Sequence, residues 1–208
     1  DLVDAAGGAA LQQGMNQWIG KLQLQKMWLG GDSYRDVVGV LGQYQRQVSP
    51  ATQFAAYLQA SDLSYDQTGN RDARRTTAGL ACSLSLAQAY SPVLYGSVYS
   101  GQERTKEAAF DAFSQDFSGI RAGGNMTLSP KLQFNSALSL EQRQFKANYP
   151  LFSAARDETE YNLNLGLIWR LSADTAIQPS YSFITNNSNI ALTDYQRHIV
   201  AIDVRFDL

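Results

Sequence analysis

The sequence predicts an all-β chain: an antiparallel, up-and-down transmembrane β-barrel of about ten strands, either complete or part of a larger barrel. Three observations predict it. Apolar residues recur at every second position over long stretches, short and long connections alternate along the chain, and uncharged side chains carry most of the polarity. Only 17% of the 208 residues are charged and 11% are aromatic, whereas soluble domains carry roughly 25% charged residues. No stretch approaches the roughly 18 apolar residues of a membrane helix. A spanning strand, however, needs only about 9–11 residues with alternate positions apolar, and such a chain reads as polar overall.

The elements follow in chain order. Residues 1–13 hold a run of Ala and Gly at 5–10 and carry no period, so they read as an N-terminal stub or the end of a preceding element. Residues 14–208 show no compositional linker and read as one barrel domain. The chain opens on Asp1 without a signal peptide, as a mature chain or an excised part of a longer one would. In the first clean strand Trp18, Leu22, Leu24 and Trp28 alternate with Lys21, Gln23 and Gln25. Residues 34–47 and 52–65 are less regular but rich in Tyr, Val and Ser. Next, Ala78, Leu80, Cys82, Leu84 and Leu86 alternate with Thr77, Gly79, Ser83 and Ser85, and residues 92–103 and 117–128 follow as weaker strands.

Towards the C-terminus the period strengthens. Leu132, Phe134, Leu138 and Leu140 face away from Gln133, Asn135, Ser139 and Glu141. Tyr161, Leu163, Leu165, Leu167, Trp169 and Leu171 alternate with Asn162, Asn164, Gly166, Ile168 and Arg170. After a weaker strand at 176–185, Val200, Ile202, Val204, Phe206 and Leu208 alternate with Ala201, Asp203, Arg205 and Asp207. Because successive strand side chains point to opposite sides, each segment has one apolar and one polar face. Strand centres about twenty residues apart suit strands that cross a bilayer obliquely.

Short turns punctuated by Pro and Ser fall at 48–51, 89–92, 128–130 and 172–174, and longer polar stretches at 66–75, 102–115, 145–160 and 186–194. The two kinds interleave, as expected of short periplasmic turns and longer outer loops in the bacterial outer membrane. Trp18 and Trp28 bracket one apolar band and Tyr161 and Trp169 another, as interface aromatics do. A soluble sandwich or barrel with inward alternation would share the period. Strand length and the Gln, Asn and Ser alternates favour the membrane.

Composition excludes other classes. One cysteine, Cys82, and one histidine, His198, cannot build a disulfide framework or a zinc or iron–sulfur centre, so no metal and no cofactor is expected. A net charge of -2 without a basic block excludes nucleic acid as a partner.

Several phrases carry a resemblance. Pro179-Ser180-Tyr181-Ser182-Phe183, Asn187-Ser188-Asn189-Ile190, Asp194-Tyr195-Gln196-Arg197 and the strand ending Val204-Arg205-Phe206 resemble the end of the barrel in surface lipoprotein assembly modifier proteins. Gly30-Gly31-Asp32-Ser33-Tyr34-Arg35, Gly101-Gln102-Glu103 and the segment from Asp116 to Gly123 are similar to earlier parts of that barrel. Barrels fused to tetratricopeptide repeats in exopolysaccharide export share this flavour. The resemblance implies an N-terminal tetratricopeptide domain, an outer-membrane barrel, and movement of lipoproteins to the cell surface. It departs in lacking repeat helices and in having fewer strands than such a barrel. The last strand, Val200, Ile202, Val204, Phe206 and Leu208, resembles the signal read by the barrel assembly machinery, with its aromatic two residues inside the end.

No catalytic set emerges. His198 lies near Asp194, yet its parity places it outward with Val200, so it reads as interfacial. Asp157, Glu158 and Glu160 read as an acidic cluster in a solvated outer loop, and the serines lack a histidine in register. The inward face by parity carries Lys21, Arg35, Arg121, Glu141, Arg143, Arg170, Arg197, Asp203, Arg205 and Asp207. These either plug the lumen through mutual ion pairs or line a conduit for an anionic or hydroxyl-rich passenger. The expected role is macromolecular translocation across the bacterial outer membrane, in contact with its lipid and lipopolysaccharide, with a protein or polysaccharide as passenger. The alternatives are an exopolysaccharide-export porin, a structural or receptor barrel with ligand-binding loops and, last, a barrel protease or lipase.

Overall fold

A computed structural model describes residues 2–66, 71–150 and 152–206. Eleven strands form one sheet in chain order, each hydrogen-bonded to its sequence neighbours and antiparallel to them. They are β1 (Leu2–Gln13), β2 (Asn16–Leu29), β3 (Asp32–Ser49), β4 (Thr52–Tyr65), β5 (Ala73–Ser85) and β6 (Val93–Thr105). β7 (Gln115–Ser129), β8 (Leu132–Asn148), β9 (Ala155–Arg170), β10 (Thr175–Ser188) and β11 (Tyr195–Phe206) complete it. Leu208 and Asp207, and residues 67–70 of the expected 66–75 loop, lie outside the described residues.

Two expectations change. The strand count is eleven rather than ten, because residues 2–13 are a full strand paired along β2 from Leu2–Met27 to Gln13–Asn16. Small Ala and Gly side chains on both faces erased its alternation while leaving its backbone free to pair. The long connections are also shorter than their polar sequence suggested. β6 runs to Thr105, β7 starts at Gln115, and β9 starts at Ala155. Pairing therefore continues above the apolar band, where residues such as Gln142, Gln144 and Asp157 are polar on the outward face as well. A short 3-10 turn, Ala108–Phe113, fills one of these connections and Ala191–Thr193 another. Conversely the turn after β5 is wider than 89–92. Leu86 N donates to Pro92 O at 2.9 Å, and Tyr90 and Ser91 take positive φ. The strict interleaving of short and long connections is thus relaxed there. The tight turns use Gly14, Gly30 and Gly31 at φ of 58°, 65° and 97°, which side chains resist.

Register assigns the faces. Leu22, Val38, Leu58, Leu80, Val98, Ile120, Leu138, Leu167 and Val200 are strongly exposed and share one face. Only seven hydrophobic residues among those described are buried, among them Leu63, Tyr99, Phe117 and Phe145, and these four lie on the opposite face. A water-soluble protein would bury its large aliphatic side chains and expose its Gln and Ser. Here the order is reversed, as hydrocarbon solvent requires. The polar face is the concave one, since side chains from β3 through β9 meet around a single cavity on that side.

Both edges are open: among the described residues β1 and β11 pair only with β2 and β10, and β1 is exposed along its whole length. β1 and β11 also run in the same direction. A ring in which every neighbour is antiparallel needs an even number of strands. In hydrocarbon each unpaired backbone group costs several kcal/mol, so these edges require strand partners.

Candidate functional site

The concave face is built by one recurrent device, aromatic side chains lying across glycines of the neighbouring strand. A Cβ at Gly119 would stand 2.5 Å from the Tyr99 ring, and one at Gly123 equally near the Tyr95 hydroxyl. Glycine at these positions lets the rings lie flat and places polar tips and charges at fixed heights. Thus Tyr99 rests over Gly119 and its hydroxyl donates to Glu141 at 2.8 Å.

Glu141 belongs to the tightest charge cluster of the face. Arg143 donates Nε to Glu141 at 2.8 Å and Nη2 to Glu160 at 2.7 Å, and its Nη1 lies 3.4 Å from Glu158. Glu158 is 4% exposed and also faces Arg156 at 3.3 Å. Tyr195 of β11 donates to Glu160 at 3.1 Å. β8, β9 and β11 are thereby joined through one guanidinium. This corrects the reading of Asp157, Glu158 and Glu160 as a solvated loop cluster: all three are in β9, and register turns Glu158 and Glu160 inward onto Arg143 while Asp157 faces out.

The opposite wall, from β3 to β7, is basic. Arg35 Nη2 donates to Gln25 Oε1 at 2.8 Å, and Arg75 lies 3.8 Å from Glu103. Arg121 stacks 4.8 Å from the Tyr99 ring, and Arg71, from the β4–β5 connection, 4.4 Å from Phe113. A cavity of about 540 Å³ is lined by Gln23, Gln25, Gln59, Arg35, Arg75 and Arg121, among others, and an adjoining one of about 260 Å³ by Arg71, Arg143 and Arg156 together with Arg35 and Arg75.

Of the residues expected on the inward face, Asp207 lies outside the described residues and the others fall on the concave face by register, but the structure gathers only some of them. Arg35, Arg121, Glu141 and Arg143 surround the cavities. Lys21 points the same way from β2, opposite Gly8 and Leu41. Arg170 and Arg205 flank Ala176 at the short-turn end, Asp203 pairs with Gln178, and Arg197 with Ile184, all away from the cavities. Sequence reading missed Arg71, Arg75, Arg156 and Glu103. Parity would have found Arg75, Arg156 and Glu103 had the strands been extended beyond the apolar band.

On the outward face Trp18 packs 4.6 Å from Tyr44, whose hydroxyl donates to Asn16. Trp169 stands at the same short-turn end, Tyr161 at the other, and Trp28 beside the Gly30–Gly31 turn with Lys26 Nζ 5.8 Å from its ring. Val200, Ile202, Val204 and Phe206 project outward from β11. His198 points outward too, 2.9 Å from the Tyr181 hydroxyl and beside Phe183, with no carboxylate within ion-pair distance among the described residues. No group of three His, Cys, Asp or Glu side chains suited to a metal ion occurs among the described residues.

Above the apolar band the outward face carries ion pairs: Lys26 with Asp36 at 3.3 Å, Lys106 with Asp62 at 2.6 Å, and Asp116 with both Arg104 and Lys146. Charges of both signs sit where lipid headgroups begin.

A family model described as surface lipoprotein assembly modifier matches residues 11–206. No curated protein matches the sequence. Among solved structures, the fold is similar to that of OmpT, an outer membrane protein of Vibrio cholerae, with a TM-score of 0.56 and 8% identity over 98% of this chain and 88% of that one. It is also similar to the siderophore receptor PirA from Pseudomonas aeruginosa, with a TM-score of 0.54 and 9% identity over 100% of this chain and 38% of that one.

Proposed function

The chain belongs to the surface lipoprotein assembly modifier family, and from that premise we propose that this outer-membrane β-barrel serves in moving a lipoprotein to the cell surface. The observation that carries the reading is the pairing of the family match over residues 11–206 with a concave face lined by Gln, Ser and Arg around cavities of about 540 and 260 Å³. A polypeptide leaving the periplasm presents backbone amides and carbonyls that need partners. Gln and Ser exchange hydrogen bonds with such groups without binding any one of them tightly.

Three further parts belong to this reading. The outward residues Val200, Ile202, Val204 and Phe206 of β11, with Leu208 beyond them, form the signal taken up by the barrel assembly machinery. A periplasmic tetratricopeptide domain delivers the passenger. The chain provides passage and does no covalent chemistry.

The test is surface display in cells producing a surface lipoprotein together with this protein. Deleting the protein is expected to leave total lipoprotein unchanged while removing it from the protease-accessible surface, and re-expression restores it. Unchanged protease accessibility after deletion contradicts the proposal. An exopolysaccharide passenger would instead show as lost capsule with the lipoprotein still displayed.

A further inference from the structure

Arginines on this concave face are treated in two ways. Arg143 is structural: three carboxylates surround it and use its Nε, Nη1 and Nη2. Arg35, Arg71 and Arg121 have no carboxylate within ion-pair distance among the described residues, although all three line the cavities. Uncharged groups hold them instead. Arg71 lies between the Phe113 and Tyr65 rings, 4.4 and 5.5 Å from their centres, and Arg121 over Tyr99. Stacking occupies the face of a guanidinium and leaves its in-plane N–H donors free. Arg35 is held by the uncharged Gln25 and Tyr65 side chains, while its buried Nε has no acceptor.

Arg75 completes the group. It stacks 4.3 Å from Phe117, reaches Glu103 only at 3.8 Å, and with Arg35 lines both cavities. Five arginines line the smaller recess against two carboxylates, Glu103 and Glu141, and such an excess of cation is costly unless an anion joins it. Planar forks with unused donors fit tetrahedral oxyanions, which accept hydrogen bonds in pairs. The smaller recess, about 260 Å³, lies below the roughly 300–1,000 Å³ of sites for drug-sized ligands. It suits one compact group.

We propose that Arg35, Arg71 and Arg75 form a binding site for a phosphate-type oxyanion in the smaller recess of the β3–β7 wall, with Arg121 adding positive charge from the adjoining cavity. The site does not depend on which macromolecule, if any, passes through the lumen. Its ligand reaches it from water, as free phosphate or as a phosphate carried on a sugar, because lipid contacts the other face.

The experiment is isothermal titration of the protein extracted in detergent from outer membranes, where it is assembled in full, with inorganic phosphate and, separately, with a hexose phosphate, at constant low ionic strength set by chloride. Saturable binding is expected for at least one ligand. Tighter binding of the hexose phosphate assigns the ligand to sugar-borne phosphate, and equal binding to the free anion. Arg35→Gln and Arg71→Gln should each weaken binding at least about tenfold, since each removes a charge-assisted fork. Arg71→Lys keeps the charge but loses the fork and should fall between. Arg46→Gln, on the outward face, should bind as the unchanged protein does. Far-UV circular dichroism confirms that each variant is folded. No saturable binding of either ligand, or equal affinity in folded Arg35→Gln and Arg71→Gln, overturns the proposal.

Discussion

Replacing Leu138 with Arg tests the assignment of faces at one height of the sheet. Leu138 is 53% exposed on the convex face of β8 and pairs with Ala122 and Leu163. Asn164, one step along β9, pairs with Ala137 and Ser182 and points into the concave side. An arginine facing lipid near the bilayer midplane costs about 2–4 kcal/mol. The same residue facing a watery lumen should change stability by no more than about 0.5 kcal/mol. Leu138→Arg and Asn164→Arg therefore bracket a difference of about 1.5–4 kcal/mol, roughly 10- to 1,000-fold in the folding equilibrium. Urea titrations of protein folding into lipid vesicles, followed by tryptophan fluorescence and by gel mobility without heating, measure both. Equal losses, or a larger loss for Asn164→Arg, would refute the assignment.

Other outcomes follow from the same geometry. Arg143→Met should destabilise by about 3 kcal/mol, because it strands Glu141, Glu158 and Glu160 without their shared cation, and adding Glu158→Gln should recover part of the loss. Gly119→Val should cost about 1–3 kcal/mol by lifting Tyr99 off the sheet and away from Glu141, which the same urea titration reads. Phe206→Ala should lower the amount assembled into outer membranes of cells while leaving folding into detergent micelles unchanged; equal loss in both would assign Phe206 to packing rather than to recognition.

How much of this was legible depends on where each residue sits relative to the bilayer. β9 and β11 could be read from sequence because lipid imposes a strict contrast between Leu165 and Asn164, or between Val204 and Arg205. β1 was not, since Ala5, Ala6, Gly7 and Gly8 satisfy either face and leave no period. Glu158 and Glu160 were assigned to a loop for a related reason: above the hydrocarbon, water replaces lipid outside the sheet, so Asp157 and Thr159 are as polar as their inward neighbours. The strand persists because its backbone pairing does not depend on that contrast. Arg71 had no signal in the sequence; it arrives from a connection, and only the curl of the sheet brings it beside Arg35 and Arg75.

The most direct test of the central account is a scan of single cysteines along β9, from Tyr161 to Trp169, in a Cys82→Ser background reconstituted into lipid vesicles. Each cysteine carries an environment-sensitive fluorophore exposed in turn to a lipid-phase and an aqueous quencher. The account predicts a period of two: positions 161, 163, 165, 167 and 169 quenched from lipid, and 162, 164, 166 and 168 from water. Uniform aqueous quenching, together with a stable fold in buffer without detergent, would contradict it.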